Sequence, residues 1–229
     1  MIKKEDLVKV NTIAIYGAIG TAKTSLAYKI IEQLKEDREI YFFKHPKPEL
    51  IIAMGYKNLR SLEDLERLQD CVLYIDEPQL TIAIYDKKAN RIIANMCSLA
   101  RQLGIILIIS SSDTRVFTKH NESYFDLWLI KDTDYSMVKK GSMVRKAIKD
   151  NVRFDPDGFR LEKNEFLSQS RTLRDINGKH TFTKPTGWNE KHSKPYRTEI
   201  PKETAKEVPN VTTPKNSEKE VVKEVNNDS

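Results

Sequence analysis

Gly17-Ala18-Ile19-Gly20-Thr21-Ala22-Lys23-Thr24, with Ser25 behind it, brings together the residue types that hold a polyphosphate. A glycine-bearing turn lets successive backbone N–H groups face one anion, a helix starting at its end adds the positive end of its dipole, and a lysine supplies a full charge. On that reading residues Gly17 to Ser25 wrap a nucleoside triphosphate, Lys23 reaches its β- and γ-phosphates, and the Thr24 hydroxyl sits on Mg²⁺. The pattern G-x-x-x-x-G-K-[ST] is met at Gly17, Lys23 and Thr24, but Ala22 stands where its second glycine belongs. An alanine fits there at negative φ and is strained at positive φ, and Gly20 supplies some of the missing freedom. The plainer alternative is a glycine turn that ends in Lys-Thr.

A second feature lies far off in sequence. Cys71-Val72-Leu73-Tyr74-Ile75 is a continuous apolar run that ends in Asp76-Glu77. Such a run reads as a central parallel strand, buried on both faces, with two carboxylates at its C-terminal edge. Asp76 is then placed to hold Mg²⁺, on the Thr24 side or through a water, and Glu77 to orient and polarise an attacking water. Taken alone, the dipeptide is an ordinary polar strand end; next to a phosphate loop it reads as chemistry.

These two features need a parallel sheet to meet. Apolar runs of strand character fall at Thr12 to Tyr16, Glu39 to Phe43, Cys71 to Ile75, Ile105 to Ser110 and Leu127 to Ile130. Helical segments lie between them at Ser25 to Lys35, Ser61 to Leu68 (Ser61 and Asp64 at capping spacing) and Lys87 to Leu103. Strands alternating with helices predict an α/β fold, a three-layer P-loop NTPase sandwich around a mostly parallel central sheet. His45-Pro46-Lys47-Pro48 cannot continue a central strand, so the chain turns there.

At 229 residues the chain has room for one such domain and a tail. Its net charge of +6 suits a polyanionic partner without naming one. The longest apolar stretch, Ile105 to Ile109, is too short to span a bilayer, and Met1 to Asp6 has no signal-peptide core, so no transmembrane segment is expected. A soluble, cytoplasmic protein is the expectation, with association to a virion as a variant of it. Cys71 and Cys97 lack metal-ligand spacing and read as small core residues; no zinc site is suggested.

After Ile130 the character changes. Met137 to Arg153 carries six basic residues and one acid, Asp150; a solvated helix face and a nucleic-acid contact are equally open there. Asp155-Pro156-Asp157-Gly158 is a turn by its chemistry. Phe182 to Tyr196 sets Trp188 and Tyr196 in a polar linker. A strap over the domain's own edge has the smaller ordering cost, and docking on a neighbour is the alternative. Residues 1–170 thus read as the nucleotide domain, 171–199 as a docking or strap segment, and 200–229 as a disordered C-terminal tail.

The phosphate loop, the Asp76-Glu77 strand end, the helix ending Leu99-Ala100-Arg101-Gln102-Leu103-Gly104, the strand Ile105 to Ser110 and the segment Asp126 to Lys131 together resemble the FtsK-HerA class of P-loop ATPases. Within that class the chain is similar to genome-packaging ATPases of membrane-containing icosahedral viruses and Zot-like ATPases of filamentous phages, over about residues 8 to 170. The resemblance implies a γ-phosphate sensor at the end of strand four, a place often held by glutamine and here by Ser110, Ser111 and Ser112, with Ser111 preferred. A serine cannot both donate and accept as an amide does, so a water would take part or the sensing would differ. The resemblance also implies an arginine acting across a subunit boundary. Arg101 and Arg115, both near that strand and expected to flank the nucleotide edge, are the candidates.

Asn-Lys-x-Asp, the guanine-reading pattern, is absent, which favours ATP. The leading expectation is a homo-oligomeric, Mg²⁺-dependent ATPase motor that moves double-stranded DNA in packaging, transfer or replicon maintenance. The alternative is a nucleotide-gated assembly factor that recruits a protein partner through its C-terminal segment. A phosphotransferase acting on a small acceptor is a third reading.

Overall fold

The computed structural model describes residues 1–61, 63–82, 87–113, 115–151 and 159–193. Eight strands form one sheet: β1 (Thr12–Tyr16), β2 (Ile40–Phe43), β3 (Lys57–Leu59), β4 (Val72–Asp76), β5 (Ile106–Ser111), β6 (Leu127–Ile130), β7 (Glu165–Ser170) and β8 (Gly178–Thr181). Their order across the sheet is β3-β2-β4-β5-β1-β6-β7-β8. The pairings from β3 to β6 are parallel, and β7 and β8 add on antiparallel. The helices are α1 (Lys4–Leu7), α2 (Lys23–Leu34), α3 (Pro48–Ala53), α4 (Pro78–Thr81), α5 (Lys87–Gln102), α6 (Lys119–Glu122), α7 (Met143–Asn151) and α8 (Glu190–Ser193).

The uninterrupted apolar strands follow from burial on both faces. Along β1, Ile13 and Ile15 enter one core while Ala14 and Tyr16 enter the other. β4, β5 and β6 divide in the same way: Val72, Tyr74, Ile106, Ile108, Leu127 and Leu129 on one side, Leu73, Ile75, Leu107, Ile109, Trp128 and Ile130 on the other. The first core takes Leu26, Ile30, Ile31 and Leu34 of α2; the second takes Ile93, Met96, Cys97 and Ala100 of α5 together with Val144, Ala147 and Ile148 of α7. The result is the three-layer, mostly parallel α/β sandwich expected of a P-loop NTPase.

The five expected strands are present, each within a residue or so of its expected ends, and α2 begins two residues earlier than expected, at Lys23. Residues 63–67 form a 3₁₀ turn in place of a full α-helix, with the Ser61 hydroxyl donating to Asp64 at 3.2 Å. Three strands were not foreseen. β3 is a three-residue edge strand with no apolar run, and β7 and β8 are rich in Ser, Gln, Lys and His. For β3 and β8 the polar composition reflects an edge position; β7 lies between β6 and β8 and buries Ser168 and Ser170 on hydrogen bonds beside Phe166 and Leu167.

The segment beyond β8 lies on the first core. Phe182 is buried there, Trp188 packs against it, and the His192 ring meets the Tyr28 ring of α2 at 5.6 Å. Thr186 N–H donates to Glu32 of α2 at 2.9 Å. Tyr196, the 200–229 tail and the Asp155 to Gly158 turn lie outside the described residues. Among the described residues no helix is long and apolar enough to cross a membrane.

Candidate nucleotide site

β1 ends at Tyr16 and α2 starts at Lys23, so residues 17–22 form the connecting loop. Its start is tied to β6: Lys131 N–H donates to Tyr16 O at 2.7 Å and Ala18 N–H to Asp132 O at 2.9 Å. Gly17 has to be glycine, because a Cβ there would stand 2.6 Å from Lys131 Cβ. Gly20 and Ala22 are left-handed, with φ of 83° and 67°. The position of the missing second glycine thus does demand positive φ, and Ala22 occupies it at a cost of about 1 kcal/mol. Thr21 Oγ1 closes the loop onto Ala18 O at 2.8 Å.

The N–H groups of residues 19–25 have no hydrogen-bond partner among the described residues; the first one taken up by α2 is Leu26, on Ala22 O. A loop and a helix start that leave successive N–H groups unpaired form a cradle for an anion. Lys23 is buried at its edge, 6% exposed, with Nζ donating to Ala18 O at 3.0 Å. Burial pulls the Lys23 ammonium below its ordinary value, opposed by Glu77 and then Asp76.

β4 is the strand two places from β1, with β5 between them, and it delivers Asp76 to this loop. Thr24 Oγ1 donates to Asp76 Oδ2 at 3.3 Å, and Ser110 Oγ, itself 2.8 Å from Tyr74 OH, donates to Asp76 Oδ1. Burial, and then the neighbouring Glu77 carboxylate, push Asp76 above the usual carboxylate range against the pull of the Ser110 bond. A buried carboxylate pressed by a second one, with a threonine hydroxyl beside it, is an oxygen donor set suited to a hard divalent cation.

Glu77 lies 3.5 Å from Lys23 Nζ through Oε1. Its backbone is left-handed, φ 43°, and is held there by its N–H on Ser110 O at 2.8 Å. Its Oε2 accepts from Ser111 Oγ at 3.2 Å, from Ser112 N–H at 3.0 Å and from the Gln79 amide. Ser111 Oγ in turn donates to Gln79 Oε1 at 2.9 Å. Ser111 therefore sits beside Glu77, and an amide reaches the same place from Gln79 at the start of α4. Gln79 was not foreseen, since the resemblance places the amide on β5; its place two residues after Glu77 is the signal for it.

The two arginines separate. Arg115 follows the C-terminal end of β5 and forks onto Asp113, at 2.6 Å through its Nη2, with its side chain 65% exposed. Arg101 does not flank the nucleotide edge as expected. Its guanidinium binds Asp126 and Tyr124 O, each at 2.8 Å, and Asp126 accepts the N–H groups of Asn11 and Thr12 where β1 begins. That is the opposite edge of the sheet from Gly17. The reason is that α5 runs back across the sheet, so its last turn faces the strands' N-terminal ends.

The family described as "ATPase family associated with various cellular activities (AAA)" matches residues 13–126. Comparison with curated protein sequences finds no match. Among solved structures the chain is similar to the DNA-packaging ATPase of Sulfolobus turreted icosahedral virus, with a TM-score of 0.54 at 17% identity over 75% of this chain and 97% of that one. It is also similar to the pCW3 conjugation coupling protein TcpA, with a TM-score of 0.53 at 16% identity over 77% of this chain and 61% of that one. EssC (ATPases 2 and 3) from Geobacillus thermodenitrificans gives a TM-score of 0.51 at 11% identity over 74% and 38%. With the phosphate loop and the acidic strand end in place, the match over residues 13–126 and the likeness to these neighbours identify the chain as having the P-loop ATPase fold.

Proposed function

We propose that this chain hydrolyses ATP and uses the energy to move double-stranded DNA, acting as a homo-oligomer. The observation that carries the reading is the meeting of Lys23 and Thr24 with Asp76 and Glu77 at one sheet edge, within 3.5 Å. Residues 19–25 take the triphosphate on their unpaired N–H groups, and Lys23 adds a buried positive charge against the terminal phosphates. Thr24 and Asp76 hold Mg²⁺, which when bound neutralises phosphate charge. Glu77 orients and polarises the attacking water as general base. Ser111 and Gln79 fix the Glu77 carboxylate, and Arg115, exposed at the same edge, reaches a neighbouring subunit's phosphates. Arg101, engaged by its own chain at the far edge, is not given that part.

The DNA partner rests on likeness of fold to proteins named for DNA packaging and conjugation coupling, and the oligomer on the exposed Arg115 at the nucleotide edge. One experiment tests the whole reading: ATP turnover with and without duplex DNA, measured alongside the molecular mass in solution. Turnover stimulated by DNA in an assembled species supports it; a monomer with DNA-indifferent turnover overturns it.

A second reading, a nucleotide-gated assembly factor that recruits a protein partner, is favoured by one observation. The 182–193 segment lies on α2, the helix that starts at the phosphate loop, through His192 on Tyr28 and Thr186 on Glu32. Trp188→Ala/His192→Ala, which loosens this segment from α2, on this reading abolishes partner recruitment while sparing hydrolysis.

A further inference from the structure

We propose that the cavity between the start of α7 and the turn after β7 binds the phosphodiester backbone of duplex DNA through Lys146, Arg171 and Arg174. This deepens the DNA-motor reading and rests on it, by naming where the polyanion docks. The cavity holds about 470 Å³ and has Ser142, Gln169 and Asn177 as polar neighbours of the three cations. All three cations are exposed, and no carboxylate pairs with them among the described residues. Glu122, the acid in its wall, is 8% exposed and accepts Met143 N–H at 3.3 Å, so the start of α7 is already capped and the side chains carry the positive charge. Lys149, one turn beyond Lys146, and Lys139 and Lys140, ahead of α7, extend the same charge outward.

Both turns that present these cations are braced. Asn177 accepts Ser170 N–H at 2.6 Å and donates to Ser170 O at 3.1 Å. Ser170 Oγ accepts Leu173 N–H at 3.1 Å and donates to Asp126 O at 2.8 Å, which fixes the turn carrying Arg171 and Arg174. On the other side Arg145 lies over the Tyr135 ring at 4.0 Å and donates to Val138 O at 2.8 Å, which fixes the chain ahead of Lys139. A backbone already fixed at these places has no ordering cost left on binding, and only the cationic side chains lose freedom. Two guanidiniums three residues apart offer planar forks to phosphate oxygens, and the exposed lysines add point charge along a strand.

The cavity is separate from the nucleotide. Ile130 pairs with Leu167 at the loop end of β6, whereas Leu127 pairs with Ser170 at the other end. Nucleotide and polyanion can therefore be held together on opposite edges of the sheet.

The test is fluorescence anisotropy of a labelled duplex against the full chain at several salt concentrations. It compares wild type, Arg171→Gln/Arg174→Gln, Lys146→Gln, and a control with equal charge loss on a distant face, Lys35→Gln/Arg60→Gln. The double variant is expected to bind at least tenfold more weakly, with the slope of log K against log salt shallower by about 2. Lys146→Gln, on an exposed helix face, is expected to flatten the slope by about 1, and the control to behave as wild type. DNA-free ATP turnover should match wild type in all of them. If wild type binds duplex and the cavity variants bind as well as it does, or no worse than the control, the proposal is overturned while the motor reading stands. If wild type binds no duplex, both fall.

Discussion

Lys23 and Glu77 stand 3.5 Å apart, an ammonium and a carboxylate brought together by the β1 loop and the end of β4. The pair has two consequences of opposite sign. Lys23→Ala removes the point charge that the terminal phosphates need, so nucleotide affinity should fall at least a hundredfold. Glu77→Gln removes a negative charge beside the phosphate loop, so affinity should hold or rise while turnover falls by about 10²- to 10⁴-fold. Isothermal titration with a non-hydrolysable analogue, paired with phosphate-release kinetics, reads both. Wild-type turnover in Glu77→Gln would show that another group handles the water.

Ala22 is the point where the chain departs from the phosphate-loop pattern and where its backbone is left-handed, φ 67°. Ala22→Gly should relieve that strain and stabilise the fold by up to about 0.5 kcal/mol, after the greater freedom glycine gives the unfolded chain is subtracted. Urea unfolding of both chains measures it. A loss of stability on going to glycine would mean that the Ala22 methyl makes a contact worth more than the strain.

The central strands were legible because burial on both faces leaves apolar runs with no polar interruptions, as at Ile13 to Tyr16 and Ile106 to Ile109. The phosphate loop and the acidic strand end were legible because their chemistry restricts residue types at fixed spacing. β7 and β8 were not, since Glu165–Ser170 buries serines beside Phe166 and Leu167, and the edge strand Gly178–Thr181 has no apolar run at all. The side-chain network around Glu77 was also hidden: Gln79 meets Ser111 only because α4 begins directly after a left-handed Glu77, a geometry that composition does not announce.

Gln79 bridges Glu77 and Ser111, donating to the first and accepting from the second at 2.9 Å. It is a positioning residue, so its loss should lower kcat about tenfold with little change in KM. Gln79→Glu is isosteric but places a second carboxylate against Glu77 and should be worse than Gln79→Ala. Steady-state kinetics of the two variants decides it. Equal activity in wild type and both variants would leave Gln79 with no part in holding Glu77.

Lys131 is fully buried beneath the phosphate loop, where its ammonium donates to Lys163 O at 2.8 Å and to Glu165 O, and lies over the Phe182 ring at 4.9 Å. Burial pulls it down to about 8 from an ordinary 10.5, against the Glu165 and Asp132 charges that favour the ammonium. Below pH 8 both folded and unfolded chains carry the proton, so burial imposes its full cost and contributes no slope. Between pH 8 and 10.5 the unfolded chain holds a proton that the folded chain has released, so stability rises with pH through that window. The change amounts to something on the order of 3 kcal/mol. Other lysines and tyrosines titrate in the same range, and Lys131→Met, an unbranched side chain one atom shorter that cannot titrate, removes only this contribution to the pH dependence. The difference in unfolding free energy between wild type and Lys131→Met, followed by urea titration from pH 7 to pH 10.5, should move steadily in favour of wild type as pH rises. A difference that stays constant across that range would mean the carbonyls of Lys163 and Glu165 hold the ammonium as well as water does.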